Sequence, residues 1–191
     1  MSLVSLHDVS VARGGVTLLE GLTLDIAEGD ILWVRGANGT GKSTLLRLLA
    51  DFLPSASGNV TRHLADTDIA YLGHSDGLDD RARLSSIAAL WSLNPQDVRG
   101  VTGVTDLARR RVHQLSAGQR RKIDILRLLA AKRPLWLLDE PFASLDQSAR
   151  DTLTAIVTRH VEMGGAAVIV SHGTLPDFAR PLRILDFQGT A

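Results

Sequence analysis

Apolar runs of strand length alternate with helical stripes along this chain. The runs at 3–11, 22–26 and 31–35 read as strands, broken by the turn-forming stretches RGG and AEGD. Leu45, Leu46, Leu48, Leu49, Phe52 and Leu53 then follow the i, i+3, i+4, i+7 rule, which predicts an amphipathic helix. LPSASGN reads as a loop, and IAYLG, at 69–73, as another strand. The stretch 75–114 is polar, contains SLNPQD and RRR, and predicts short helices in a small subdomain. A helix is predicted over 117–131 with KRP as its break, and LWLLDE is then a buried strand ending in two carboxylates. Residues 147–163 predict a further helix, with Asp146 placed to cap its N terminus and a glycine pair to stop it. AAVIVSH is another apolar run, and LRILDF a last strand. Apolar strands alternating with helices imply an α/β sheet buried on both faces. The antiparallel pattern of the N-terminal hairpins adds a mixed edge or a side sheet.

Composition narrows the class. A chain of 191 residues with 45% hydrophobic and 22% charged content suits one globular domain with a substantial core. Lys and Arg number 21, as do Asp and Glu, so no net basic field draws nucleic acid or acidic lipid. The absence of cysteine excludes a disulfide framework or a thiolate metal site. No uncharged apolar run approaches the roughly 18–20 residues of a membrane span. The N-terminal stretch MSLVSLHDVSVARGG carries Asp8 and no long apolar segment, which is not the pattern of a secretory signal. Any work at a membrane is therefore expected to run through a partner.

Three motifs carry chemistry. Gly36-Ala37-Asn38-Gly39-Thr40-Gly41-Lys42-Ser43 fits G-x-x-x-x-G-K-[ST], the phosphate-binding loop, and Thr44 continues it into the helix. Its glycines let backbone N–H groups converge on phosphate oxygens, and the following helix adds its positive N-terminal end. Lys42 is expected to reach the β- and γ-phosphates of a nucleotide, and the Ser43 hydroxyl to ligate Mg²⁺. LWLLDE carries Asp139 to a strand tip, where a carboxylate can hold the Mg²⁺ shell, and places Glu140 to polarise the attacking water. An acidic pair at a strand end is by itself only a solvated terminus; beside a phosphate loop it is a catalytic candidate. LSAGQ, at 115–119, puts Ser116 and Gly118 at the start of a helix as a second anion cradle. SLD, at 144–146, and His172 after an apolar run follow in order.

The set GANGTGKS, LSAGQ, LWLLDE, SLD and SH resembles the ATP-binding-cassette (ABC) ATPases over nearly the whole chain. The resemblance implies an α/β phosphate-loop NTPase core with a mixed sheet and an N-terminal antiparallel β part. A helical subdomain at about 75–133 would be inserted in a single domain spanning 1–191. It also implies a homodimer of two cassettes in the ATP-bound state, each nucleotide lying between the phosphate loop of one copy and the signature of the other. Ser116 and Gly118 then contact the partner's γ-phosphate, Asp146 joins the contact between sites, and His172 senses the γ-phosphate.

Departures from the family pattern bear on individual residues. Ala117 stands for the first signature glycine. The family's adenine-stacking aromatic is replaced by Arg13, either a guanidinium stacked on the base or an ordinary surface arginine. The metal-linking glutamine is replaced by His74, which takes over that role or leaves the shell to water. The basic cluster Arg109–Arg111 and Arg120–Lys122 reads as a solvated face with local partners such as Asp124, and His7, His63, His113 and His160 as surface or core residues. YLGH, LSAGQRRK, RPLWLLDEPFASLD and SHGTLPDFARPLRILDF further resemble one branch, the ATP-binding subunits of haem exporters in cytochrome c maturation. That branch implies ATP hydrolysis coupled to haem export, or to release of a haem-loaded chaperone, through integral membrane subunits. It places the chain peripherally on the cytoplasmic face of the inner membrane. The rivals are the cassette of another small transporter and a soluble nucleic-acid-associated cassette; the latter needs coiled-coil inserts, tandem cassettes or basic arms, so no nucleic-acid partner is expected.

Overall fold

A computed structural model describes residues 1–73 and 77–187, apart from the side chains of Arg13, Asp66 and Asp97. Strands β1 (Ser2–Arg13) and β2 (Val16–Ala27) form an antiparallel hairpin closed by Gly14 and Gly15, and β4 (Ser57–Arg62) pairs on the other side of β1. β1 explains its own irregularity. Val4 and Leu6 face the core, but strict alternation would next bury Asp8 and Ser10. A bulge at Asp8, whose φ is 52°, shifts the phase by one residue so that Val9 and Val11 are buried instead. Gly58 of β4 lies against this bulge, where a Cβ would stand 2.2 Å from the Asp8 carbonyl oxygen.

The second sheet runs β5 (Ile69–Leu72), β6 (Leu135–Asp139), β7 (Ala166–Val170), β3 (Ile31–Arg35), β8 (Arg183–Asp186), with every pair parallel. The two strand senses that the sequence predicts thus segregate into two sheets. β6 and β7 are buried at every position, as strands covered on both faces must be. Their alternation divides the core. Leu135 and Leu137 point with α1 (Lys42–Leu49) toward the antiparallel sheet, while Trp136 and Leu138 point toward α4 (Ala117–Ala131) and α5 (Gln147–Glu162).

A third apolar cluster gathers α2 (Leu84–Leu90), α3 (Pro95–Thr102) and one face of α4. α4 therefore has two buried faces: Ile125 and Leu128 join the sheet-facing core, Ile123 and Leu126 the helical arm. The helix links the arm rigidly to the sheet. The element the sequence reading misses is β4, because Ser57, Gly58 and Asn59 are polar and exposed on a short edge strand. Such strands carry no apolar alternation to read. Among the described residues, no helix is long and apolar enough to cross a membrane.

Candidate active site

The site lies where β3, β6 and β7 end. β3 runs into the loop 36–41, and Gly41, with φ 99°, turns the chain into α1. A side chain on Gly36 would meet the Phe187 carbonyl oxygen at 2.2 Å, and one on Gly41 the Leu18 carbonyl oxygen at 2.6 Å. Both glycines are therefore demanded by close backbone approach. The first N–H groups of α1 have no intrahelical partners and face the loop, leaving an anion cradle. Lys42 is buried, and its ammonium donates to the Gly36 and Ala37 carbonyls at 2.9 and 2.6 Å. Those carbonyls hold the charge at the loop mouth.

The strand tips complete the cleft. Ser43 Oγ donates to Asp139 Oδ2 at 2.9 Å, so the two residues expected to hold Mg²⁺ are in contact. A hydroxyl and a carboxylate are the hard oxygen donors that Mg²⁺ takes, one or two from protein and the rest from water and phosphate. Glu140 follows in the left-handed region at φ 48°. Its carboxylate accepts from the His172 backbone N–H at 2.8 Å and from Ser171 Oγ at 3.3 Å, with His172 Nε2 at 3.3 Å. A cleft of about 320 Å³ is lined by Asn38, Gly39, Gly41, Lys42, Ser43, Thr44, Asp139, Glu140 and His172. Gly36, Ala37 and Thr40 line an adjoining hollow that also reaches His172.

Ser116, Gly118 and Asp146 stand apart from this cleft. Ser116 and Gly118 are at the N terminus of α4. Ser116 caps the helix through the Gln119 N–H while Gln119 Oε1 accepts from the Ser116 N–H, a reciprocal capping box. Gly118 packs so tightly on the SLD turn that a Cβ would be 2.8 Å from the Ser144 carbonyl oxygen. Asp146 caps α5 through the Ala149 N–H at 2.8 Å and reaches Lys122 at 3.3 Å. These contacts hold its carboxyl below the ordinary aspartate range, the Ala149 hydrogen bond first. Arg13 ends β1, with its side chain outside the described set, and His74 lies outside the described residues altogether.

The structure corrects one part of the sequence reading. Arg109, Arg110 and Arg111 are exposed as expected, but 120–122 is no solvated face. Arg120 pairs with Asp80, Lys122 with Asp146, and Arg121 and Asp124 are buried. The signal was in the phase of α4. Arg121, Asp124, Ile125 and Leu128 sit at i, i+3, i+4 and i+7, one buried stripe.

A profile of the ABC transporter family matches residues 19–143. The chain belongs to the ABC transporter family. Its curated ABC relatives include a cytochrome c biogenesis ATP-binding export protein CcmA of Paracoccus denitrificans, 41% identical over 90% of this chain and 83% of that protein. The protein of the same name from Xylella fastidiosa is 36% identical over 97% and 94%. Solved ABC cassettes share the fold. A putative ABC transporter ATP-binding protein from Pyrococcus furiosus superposes with a TM-score of 0.77 at 20% identity, covering 96% of each chain. A cassette solved as a dimer in a post-hydrolysis state with ADP and Pi gives 0.74 at 22% identity, covering 90% and 88%.

Proposed function

We propose that this ABC subunit binds and hydrolyses ATP and thereby drives haem export, or release of a haem-loaded chaperone, in cytochrome c maturation. One observation carries the catalytic half: Lys42, Ser43, Asp139, Glu140 and His172, drawn from three strand ends, converge on one cleft. The loop N–H groups and the start of α1 hold the phosphates, and Lys42 exchanges its carbonyl partners for phosphate oxygens. Ser43 and Asp139, with His74 as a third candidate, would hold Mg²⁺, which would supply neutralisation of phosphate charge. Glu140 orients a water and takes its proton. His172, whose backbone N–H donates to Glu140 and whose ring Nε2 lies 3.3 Å from the same carboxylate, is the candidate reader of the γ-phosphate. Arg13 is the candidate to stack on adenine.

The export half rests on relatives at 41% and 36% identity, both named for cytochrome c biogenesis. Residues 1–191 act in this reading as one domain, with the helical insert at about 75–133 meeting integral membrane subunits. A second copy supplies Ser116 and Gly118, and the pair works at the cytoplasmic face of the inner membrane. A strain lacking the protein should keep b-type haem proteins but lose holo-cytochromes c by haem staining. Glu140→Gln and Lys42→Ala genes should fail to restore them. Normal cytochromes c in the deletion strain would overturn the haem reading and leave the ATPase reading standing.

A further inference from the structure

Arg121 lies one turn into α4, just past the LSAGQ turn, and only 7% of it is exposed. Its guanidinium donates to four backbone carbonyls: Gly73 at 3.0 Å, Asp139 at 2.5 Å, Glu140 at 2.7 Å and Pro141 at 3.4 Å. Three of these are consecutive residues at the exit of β6, and the fourth follows β5. Glu140 is thereby held at both ends, its carbonyl by Arg121 and its carboxylate by Ser171 and His172. A glutamate at φ 48° persists only where its surroundings over-determine it. The planar fork of arginine can serve several carbonyls at fixed angles, which a lysine ammonium cannot.

We propose that Arg121 is a positioning residue for ATP hydrolysis. It locks the left-handed Glu140 backbone so that the carboxylate faces the phosphate-loop cleft, and it makes that lock depend on where α4 stands. The role rests on the ATPase reading above. Because α4 also carries Ser116 and Gly118 at its N terminus and packs into the helical arm, a displacement of either is transmitted to Glu140 through one side chain.

The test uses the full chain with ATP. Arg121→Lys keeps the charge and removes the fork; Arg121→Gln, a neutral planar donor, is the second arm should the lysine variant melt below the assay temperature. For the folded variant, kcat should fall about tenfold or more while KM and the ATP dissociation constant stay unchanged, the pattern of an interaction lost from the transition state alone. Added to Glu140→Gln, the substitution should cause no further loss of turnover, because the group it positions is already gone. A folded variant with kcat within about twofold of the parent overturns the proposal. So does a parallel loss of ATP affinity and kcat, which marks a merely structural residue. A parent chain that binds ATP without turnover overturns the ATPase reading and this role with it.

Discussion

Glu140 is where residue-scale physics is most concentrated. Asp139 ends β6 with its carboxylate on Ser43, and the left-handed turn at Glu140 sends the next side chain to Ser171 and His172 instead. One backbone conformation thus gives two adjacent carboxylates separate partners. Glu140→Gln keeps the shape and removes the proposed proton acceptor. Nucleotide affinity should hold while turnover falls by about 10²–10⁴, the usual worth of a general base, as read by phosphate release. Lys42→Ala should instead lose nucleotide affinity, measured by calorimetry, because the only buried lysine of the loop is gone. The phosphate loop and strand-tip carboxylates were legible because their chemistry sits on consecutive residues with fixed spacing. Arg121 was not, because a charged residue amid charged neighbours reads as solvated until the helix phase is set against its partners. Ser171 stood in the SH motif, but only His172 of that pair was given a role.

Elements here are specified partly by how they fail to be regular. The β1 bulge keeps Val9 and Val11 in the core, and it needs Gly58 across the strand, at φ 81° and in contact with the Asp8 carbonyl. Gly58→Ala should destabilise the fold by about 2 kcal/mol, the scale of forced backbone strain, in a denaturant titration. The hairpin turn was visible in RGG, whereas β4 was hidden by its polar start. At the far end of α5, His160 stacks on Trp136 with ring centroids 3.8 Å apart, and its Nε2 lies 3.1 Å from the Pro134 carbonyl oxygen. Burial lowers its pKa below the ordinary histidine value despite the Ala166 and Pro134 carbonyls, which act the other way. The unfolded chain therefore takes up this proton first as pH falls. Stability from neutral His160 is full above about 6.5 and is lost as pH drops from there through the folded-state pKa. His160→Phe retains a ring on Trp136 and cannot charge. Its melting temperature should change less between pH 7.5 and 5.5 than that of the parent; equal changes would mean that His160 does not contribute to the pH dependence.

At the scale of the whole molecule, the cleft is built by one chain but the LSAGQ turn of that chain does not line it. Ser116 and Gly118 lie instead at the start of α4, where Ser116 is exposed and Gly118 buttresses the SLD turn. A second copy placed head to tail would bring its α4 start to the open side of the cleft, as closed two-fold pairing requires each patch to be used twice. Mixing defective chains tests this directly. In that arrangement Lys42→Ala would ruin the phosphate loop and Ser116→Arg the signature, so each protein alone would form only dead sites. A mixed dimer contains one site with both defects and one site with none. Random pairing makes about half of the dimers mixed, with one whole site of two, so the mixture should regain about a quarter of parental turnover. Ser116→Arg also forfeits a helix cap worth about 1 kcal/mol, so its melting curve must first show a folded chain. If each subunit completed its own site, the mixture would show no more ATPase activity than the two proteins assayed apart, and the head-to-tail arrangement would be excluded.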